Sequence, residues 1–97
     1  MGGALMIDQL LNNKISDVQT LYKVLNILVK DINSGIIEQF HNSDDLFCTN
    51  LDIRKLQKTQ NIPDVLRCYF INKNTGTKYM LDVETYHGLG GSIKILD

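Results

Sequence analysis

The chain has no tryptophan, one proline, two cysteines and two histidines. With so little proline, no low-complexity tract and no internal repeat, nothing reads as an interdomain linker or a solenoid. Two cysteines do not make a disulfide framework. Cys68 sits in an apolar stretch, where a thiol behaves as a small hydrophobe. Both cysteines read as structural thiols in a reducing, cytoplasmic setting. His41, His87, Cys48 and Cys68 show none of the spacings by which zinc sites are recognised, so neither a metal nor another cofactor is expected.

Long hydrophobic runs are missing too. The longest apolar-rich stretch, Leu21 to Val29, is interrupted or bordered by Lys23, Asn26 and Lys30. It falls far short of the ~20 apolar residues of a membrane span. The start, Met1-Gly2-Gly3-Ala4-Leu5-Met6, has neither the order of a signal peptide nor the pattern for myristoylation. Met6 offers a second start, which would make residues 1–5 a leader.

Charge of one sign is also lacking. The net charge is −1, which gives no global field for steering toward nucleic acid. Residues 1–45 carry six acids against three lysines, and residues 46–97 carry seven bases against five acids. The second half is therefore mildly basic, which favours an acidic partner more than DNA.

What is present suits a single α+β domain spanning residues 1–97. A hydrophobic content of 43% is enough for one core, and two domains of half this length would each be too small to bury one. Leu5 to Leu11 reads as a short helix. Ser16 with Gln19 forms a capping box, and Asp17 suits the positive helix end. Val18, Leu21, Tyr22, Leu25, Leu28, Val29 and Ile32 follow on one stripe, and Gly35 sits at the left-handed stop. A long helix is thus expected over about 17–34. Ile36 to His41 reads as a further helical turn. Ser43-Asp44-Asp45 either caps a helix or turns the chain. Leu51 to Gln60 fits both periodicities and leans to strand, and 61–64 is a turn.

Val65 to Ile71 and Thr77 to Tyr86 give the clearest β signal. A four-residue loop, Lys73 to Gly76, puts Gly76 where positive φ is needed. That pairs Leu66 with Val83, Cys68 with Leu81 and Phe70 with Tyr79 on an apolar face. Arg67 then meets Asp82, Tyr69 meets Met80 and Ile71 meets Lys78 on the other. A one-residue slip would bury Asp82 and Glu84 unpaired, at several kcal/mol. After a glycine-rich turn, Ser92 to Leu96 makes a last short strand with Ile93 and Ile95 inward. The expected architecture is N-terminal helices packed on one face of a C-terminal antiparallel meander of three or four strands.

The sequence contains no catalytic signature, and an enzyme is not expected. Cys48 would need a base such as His41, and nothing in the local sequence orders that pair. Asp82 and Glu84 share a strand face, but Arg67 opposite Asp82 makes a plain ion pair there. The outer sheet face, with Arg67, Tyr69, Ile71, Lys78, Met80 and Tyr86, is rich in the residue types enriched at interfaces. The expected function is a small interaction or regulatory module of inhibitor or immunity type. It would bind another protein, or a second copy of itself, through this face or an edge strand. Two alternatives remain. The loop His87, Gly88, Gly90 and Gly91 can form an anion nest. The basic half, with Tyr69 as stacking platform, can bind single-stranded nucleic acid weakly.

Overall fold

The structure, a computed structural model, describes residues 7–11, 14–86 and 88–96. Two helices lie on one face of a five-stranded antiparallel sheet, so the domain is α+β as expected. The strands are β1 (Lys14–Ile15), β2 (Ile37–Phe40), β3 (Val65–Asn72), β4 (Lys78–Glu84) and β5 (Gly90–Leu96), in the spatial order β1-β5-β4-β3-β2. The helices are α1 (Val18–Asn33) and α2 (Ile53–Thr59). Among the described residues no helix is long and apolar enough to cross a membrane.

The β3–β4 hairpin carries the expected register: Leu66 faces Val83, Arg67 faces Asp82, Cys68 faces Leu81 and Tyr69 faces Met80. Its turn closes as read, with the Asn72 N–H donating to the Thr77 carbonyl and the Gly76 N–H to the Asn72 carbonyl, both at 2.8 Å. Gly76 has φ +77°, a conformation that strains any residue with a Cβ. Leu66, Cys68, Phe70, Leu81 and Val83 are wholly buried against Leu21, Leu25 and Leu28 of α1.

Helix α1 runs where the spacing placed it, but its start is capped by Asp17 rather than Ser16. The Asp17 carboxylate accepts the Thr20 N–H at 2.7 Å, the role assigned to Ser16 in a capping box. The far end is a Schellman turn: the Gly35 N–H donates to Ile32, the Ile36 N–H to Asp31, and Gly35 takes φ +78°. Val18, assigned to the inner stripe, is half-exposed, and Val24 is buried in its place.

Four expectations are corrected. Leu5 to Leu11 reads as a helix, yet Ile7–Leu10 is a 3-10 turn and Leu11 bridges to Ile93; Leu5 and Met6 lie outside the described residues. The Ile7 N–H donates to the buried Asp31 carboxylate of α1 at 2.8 Å, and the Tyr79 hydroxyl donates to Asp8 at 3.0 Å. Tertiary partners thus hold this turn where helical propensity would not. Ile36 to His41, read as helical, forms β2, because the backbone of β3 requires a partner on that side. Ile37 drops into the core while Glu38 turns out.

Leu51 to Gln60, read as strand, forms α2. Asp52 caps its start by accepting the Arg54 N–H at 2.9 Å, Ile53 and Leu56 face the core, and Gln60 closes it in the left-handed conformation. The inward side chain of Gln39 holds the same helix start, donating to the Leu51 carbonyl and accepting the Ile53 N–H, both at 2.8 Å. Finally, the sheet has five strands where three or four are expected, since Lys14–Ile15 and Ile37–Phe40 line its two sides.

Gly91 sits between Val83 of β4 and Ile15 of β1. A Cβ there would approach the Asp82 carbonyl to 2.4 Å and the Val83 Cα to 2.9 Å, whereas at Gly90 it would meet nothing within 4 Å. Gly91→Ala is therefore expected to lower the unfolding free energy by about 1–3 kcal/mol in urea titrations, with Gly90→Ala losing clearly less.

Candidate interaction surface

The sheet face turned away from the helices is built by alternation. It bears Val65, Arg67, Tyr69 and Ile71 from β3, and Lys78, Met80, Asp82 and Glu84 from β4. Phe40 and Glu38 of β2 flank Tyr69 and Ile71, while Ser92 and Lys94 of β5 flank Asp82 and Met80. This is the face on which the sequence placed a partner site. Its middle, however, is covered by the chain itself.

The cover is the segment 41–48. β2 leaves the sheet after Phe40, which pairs with Tyr69. The chain returns at Thr49, whose N–H donates to the Arg67 carbonyl at 2.7 Å and whose hydroxyl accepts the Arg67 N–H at 2.9 Å. Thr49 thereby satisfies the two β3 backbone groups that β2 would have met had it continued. Between these anchors the chain makes two turns. The Asp45 N–H donates to the Asn42 carbonyl and the Cys48 N–H to the Asp45 carbonyl. Side chains stiffen both turns: Asn42 Oδ1 accepts the Asp44 N–H, and Asp45 Oδ1 accepts the Phe47 N–H.

Asp45 fastens this loop to the sheet. Its Oδ2 accepts the Tyr69 hydroxyl and lies 3.3 Å from Arg67 Nη1. Arg67 also reaches Asp82 across the ladder at 3.3 Å, and its guanidinium lies 5.8 Å from the Phe47 ring centroid. The hydrogen bond from Tyr69, then the Phe47 N–H and Arg67, hold the Asp45 carboxyl below its ordinary range. Burial, and then Asp45, push the Tyr69 hydroxyl up. Arg67 is held cationic chiefly by Asp82.

The sequence-derived site residues separate accordingly. Tyr69 was expected to be exposed, but it is only 5% accessible, packed against Phe40 at 5.7 Å between centroids and roofed by Asp45. It supports the surface from beneath. Arg67 is committed to two carboxylates. Ile71 and Met80 are half-buried, and Lys78 is exposed, with its Nζ 5.8 Å from the Phe40 ring. Tyr86 is exposed beyond the end of β4.

In the glycine-rich segment, the alternative anion site, Gly90 pairs with Glu84, and Gly91 pairs on both sides, so both belong to a sheet ladder rather than to a loop of inward N–H groups. Gly88 takes φ +103°, and His87 lies outside the described residues.

Two residues that the sequence reading did not single out now stand foremost. Leu46 is 94% exposed and Phe47 69%, side by side at the loop tip. Beside Phe47 lies a shallow cleft of about 400 Å³ lined by Val65, Arg67, Asp82, Glu84 and Gly90 to Ser92. Asp82 and Glu84 line the cleft with Arg67, the loop adds Asp44 and Asp45, and Lys94 and Lys78 stand beyond Asp82 on the same face. The available signal was the turn-forming run Asn42-Ser43-Asp44-Asp45 directly before two large apolar residues.

Asp45 is depressed in the folded state, so its contribution to stability is complete above the ordinary carboxylate value of about 4 and is lost as pH falls through the folded value. Asp45→Asn is expected to lower the urea midpoint at pH 7, with the gap from the parent chain shrinking toward pH 3; a constant gap would contradict the latch. No protein-family model, curated protein or solved structure matches the chain.

Proposed function

We propose that the chain is a small protein-interaction module of inhibitor or immunity type, docking through the 41–48 loop and the outer sheet face beside it. The observation that carries this reading is the exposure of Leu46 and Phe47 on a loop pinned at both ends and beneath. A large apolar side chain in water gains from burial in a partner's pocket. Because the loop is already ordered, little further entropy is lost on binding. An aromatic anchor with a neighbouring aliphatic one is the usual make-up of a binding hot spot.

The charge around the knob selects the partner. At the loop end of the face the carboxylates outnumber the cations, with the lysines Lys78 and Lys94 further along it, which favours a protein whose apolar pocket has a basic rim. A second copy would bring the same carboxylates to the same place about a twofold axis, so charge argues against a homodimer here. It argues equally against nucleic acid at this end of the sheet. The outer edge of β2 offers strand addition as a second docking mode.

The test begins with recovery of the partner from the native cell and ends with measured affinities. Leu46→Ala and Phe47→Ala are expected to leave stability within about 0.5 kcal/mol while each weakens binding by about tenfold or more. Asp44→Lys should slow association and flatten its salt dependence. Affinity indifferent to both truncations would rule the loop out as the anchor.

A further inference from the structure

Cys48 and His41 stand at the two ends of the 41–48 loop, and the fold brings them together. Cys48 Sγ lies 3.5 Å from His41 Nδ1, a hydrogen-bond distance for sulfur. The sequence named this pair as the requirement for a nucleophilic site but contained nothing to order it. The order comes from the pairing of Phe40 and Thr49 with neighbouring positions on β3, which makes the loop ends adjacent. Cys48 is half-buried and His41 exposed. On the His41 side of the pair opens a second cleft of about 430 Å³, lined by His41, Thr49, Gln39, Asn50, Arg54 and Lys73 among others, with Cys48 behind His41 and Thr49 rather than in its wall. That volume falls within the range of small-molecule sites, and the cleft carries both charge signs, since Glu38 and Asp52 line it as well.

We propose that Cys48 and His41 form a thiol-exchange site for low-molecular-weight peptide disulfides of the glutathione class. The step balances without a further reagent. His41, as the Nε2–H tautomer, accepts the Cys48 proton on Nδ1, and the thiolate attacks one sulfur of the disulfide. A Cys48–S bond forms as the disulfide bond breaks, and the leaving sulfur keeps the electron pair and takes the proton from the imidazolium. Cys48 is oxidised to a mixed disulfide, and the departing half is reduced to a thiol. The adjoining cleft offers both charge signs to a zwitterionic peptide adduct.

The surroundings confine the chemistry to one thiol. Cys68 of β3 is wholly buried, and burial pushes its thiol up to about 12. The charged and titratable groups near the pair are Asp44 and Asp45 from the loop, Arg67 and Tyr69 from β3, Glu38 from β2, and Asp52, Arg54 and Lys73 across the cleft. Asp45 is turned to Arg67 and Tyr69, and Arg54 is paired with Asp52 at 3.1 Å. His41 is thus the base in contact with the sulfur.

The test uses the folded chain with two probes, oxidised glutathione and the uncharged 4,4′-dithiodipyridine, followed by mass spectrometry and by the rate of thiol consumption. One adduct per chain is expected, at Cys48, with Cys68 reacting only after unfolding. His41→Gln, an exposed position whose fold is checked by its urea midpoint, is expected to slow both probes about tenfold or more at pH 7. The difference should narrow at higher pH, where hydroxide in solution takes over the role of the base. Equal rates for His41→Gln and the parent chain at pH 7, or modification of Cys68 as fast as Cys48, would overturn the proposal. Lys73→Ala should slow oxidised glutathione and not the uncharged probe; equal slowing of both would remove the cleft from the site.

Discussion

The pairing of β3 with β4 divides the molecule into an inside and an outside. With Cys68 across from Leu81 and Phe70 across from Tyr79, one face of the hairpin is apolar throughout, and α1 and α2 pack on it. With Arg67 across from Asp82 and Tyr69 across from Met80, the other face holds the groups that receive the 41–48 loop. A shift of β4 by one residue would send Asp82 and Glu84 into the core and take Asp82 away from Arg67. The cost of burying an unpaired carboxylate, several kcal/mol, therefore fixes the core and the surface at the same time.

On the outside, one carboxylate does several things at once. Asp45 stiffens its own turn through the Phe47 N–H, closes over Tyr69 and shares Arg67 with Asp82. An exposed ion pair alone is worth about 0–1 kcal/mol. A hydrogen-bonded network over a buried tyrosine holds a loop better than the sum of such pairs suggests. Of the loop's own apolar residues, Leu46 points into water, and Phe47 is largely exposed, with the Arg67 guanidinium over its ring. Polar residues fasten the loop, and its apolar residues stay largely exposed. Cys48 and His41 meet for the same reason, since the loop leaves and rejoins the sheet at neighbouring places on β3.

Much of the fold was legible because local rules and burial agreed. The α1 stripe ended by Gly35, the Gly76 turn and the hairpin register each had one arrangement that kept charge out of the core. The parts that were not legible depend on distant partners. Ile36 to His41 is too short for periodicity to decide, and it is a strand because β3 needed a neighbour. In 51–60 the alternation of Leu51 and Ile53 outweighed Asp52 as a helix cap, and the orientation of Gln39 toward that helix start cannot be read from sequence. Asp31 lies on the buried stripe yet reads as polar, because the Ile7 N–H that satisfies it is 24 residues away. The candidate surface shares this origin: its composition was readable, but the loop that covers Tyr69 and presents Leu46 and Phe47 was not.

The central claim is the threading of the hairpin, and interstrand NOEs between α-protons measure it directly. The hydrogen bonds at Asn72–Thr77 and at Asp64–Thr85 make Arg67–Asp82 and Tyr69–Met80 close, non-hydrogen-bonded pairs. The structure predicts strong Hα–Hα NOEs between Tyr69 and Met80 and between Arg67 and Asp82. Strong NOEs from Tyr69 to Tyr79 or Leu81 instead would mean a shifted register, and the surface described here would not exist.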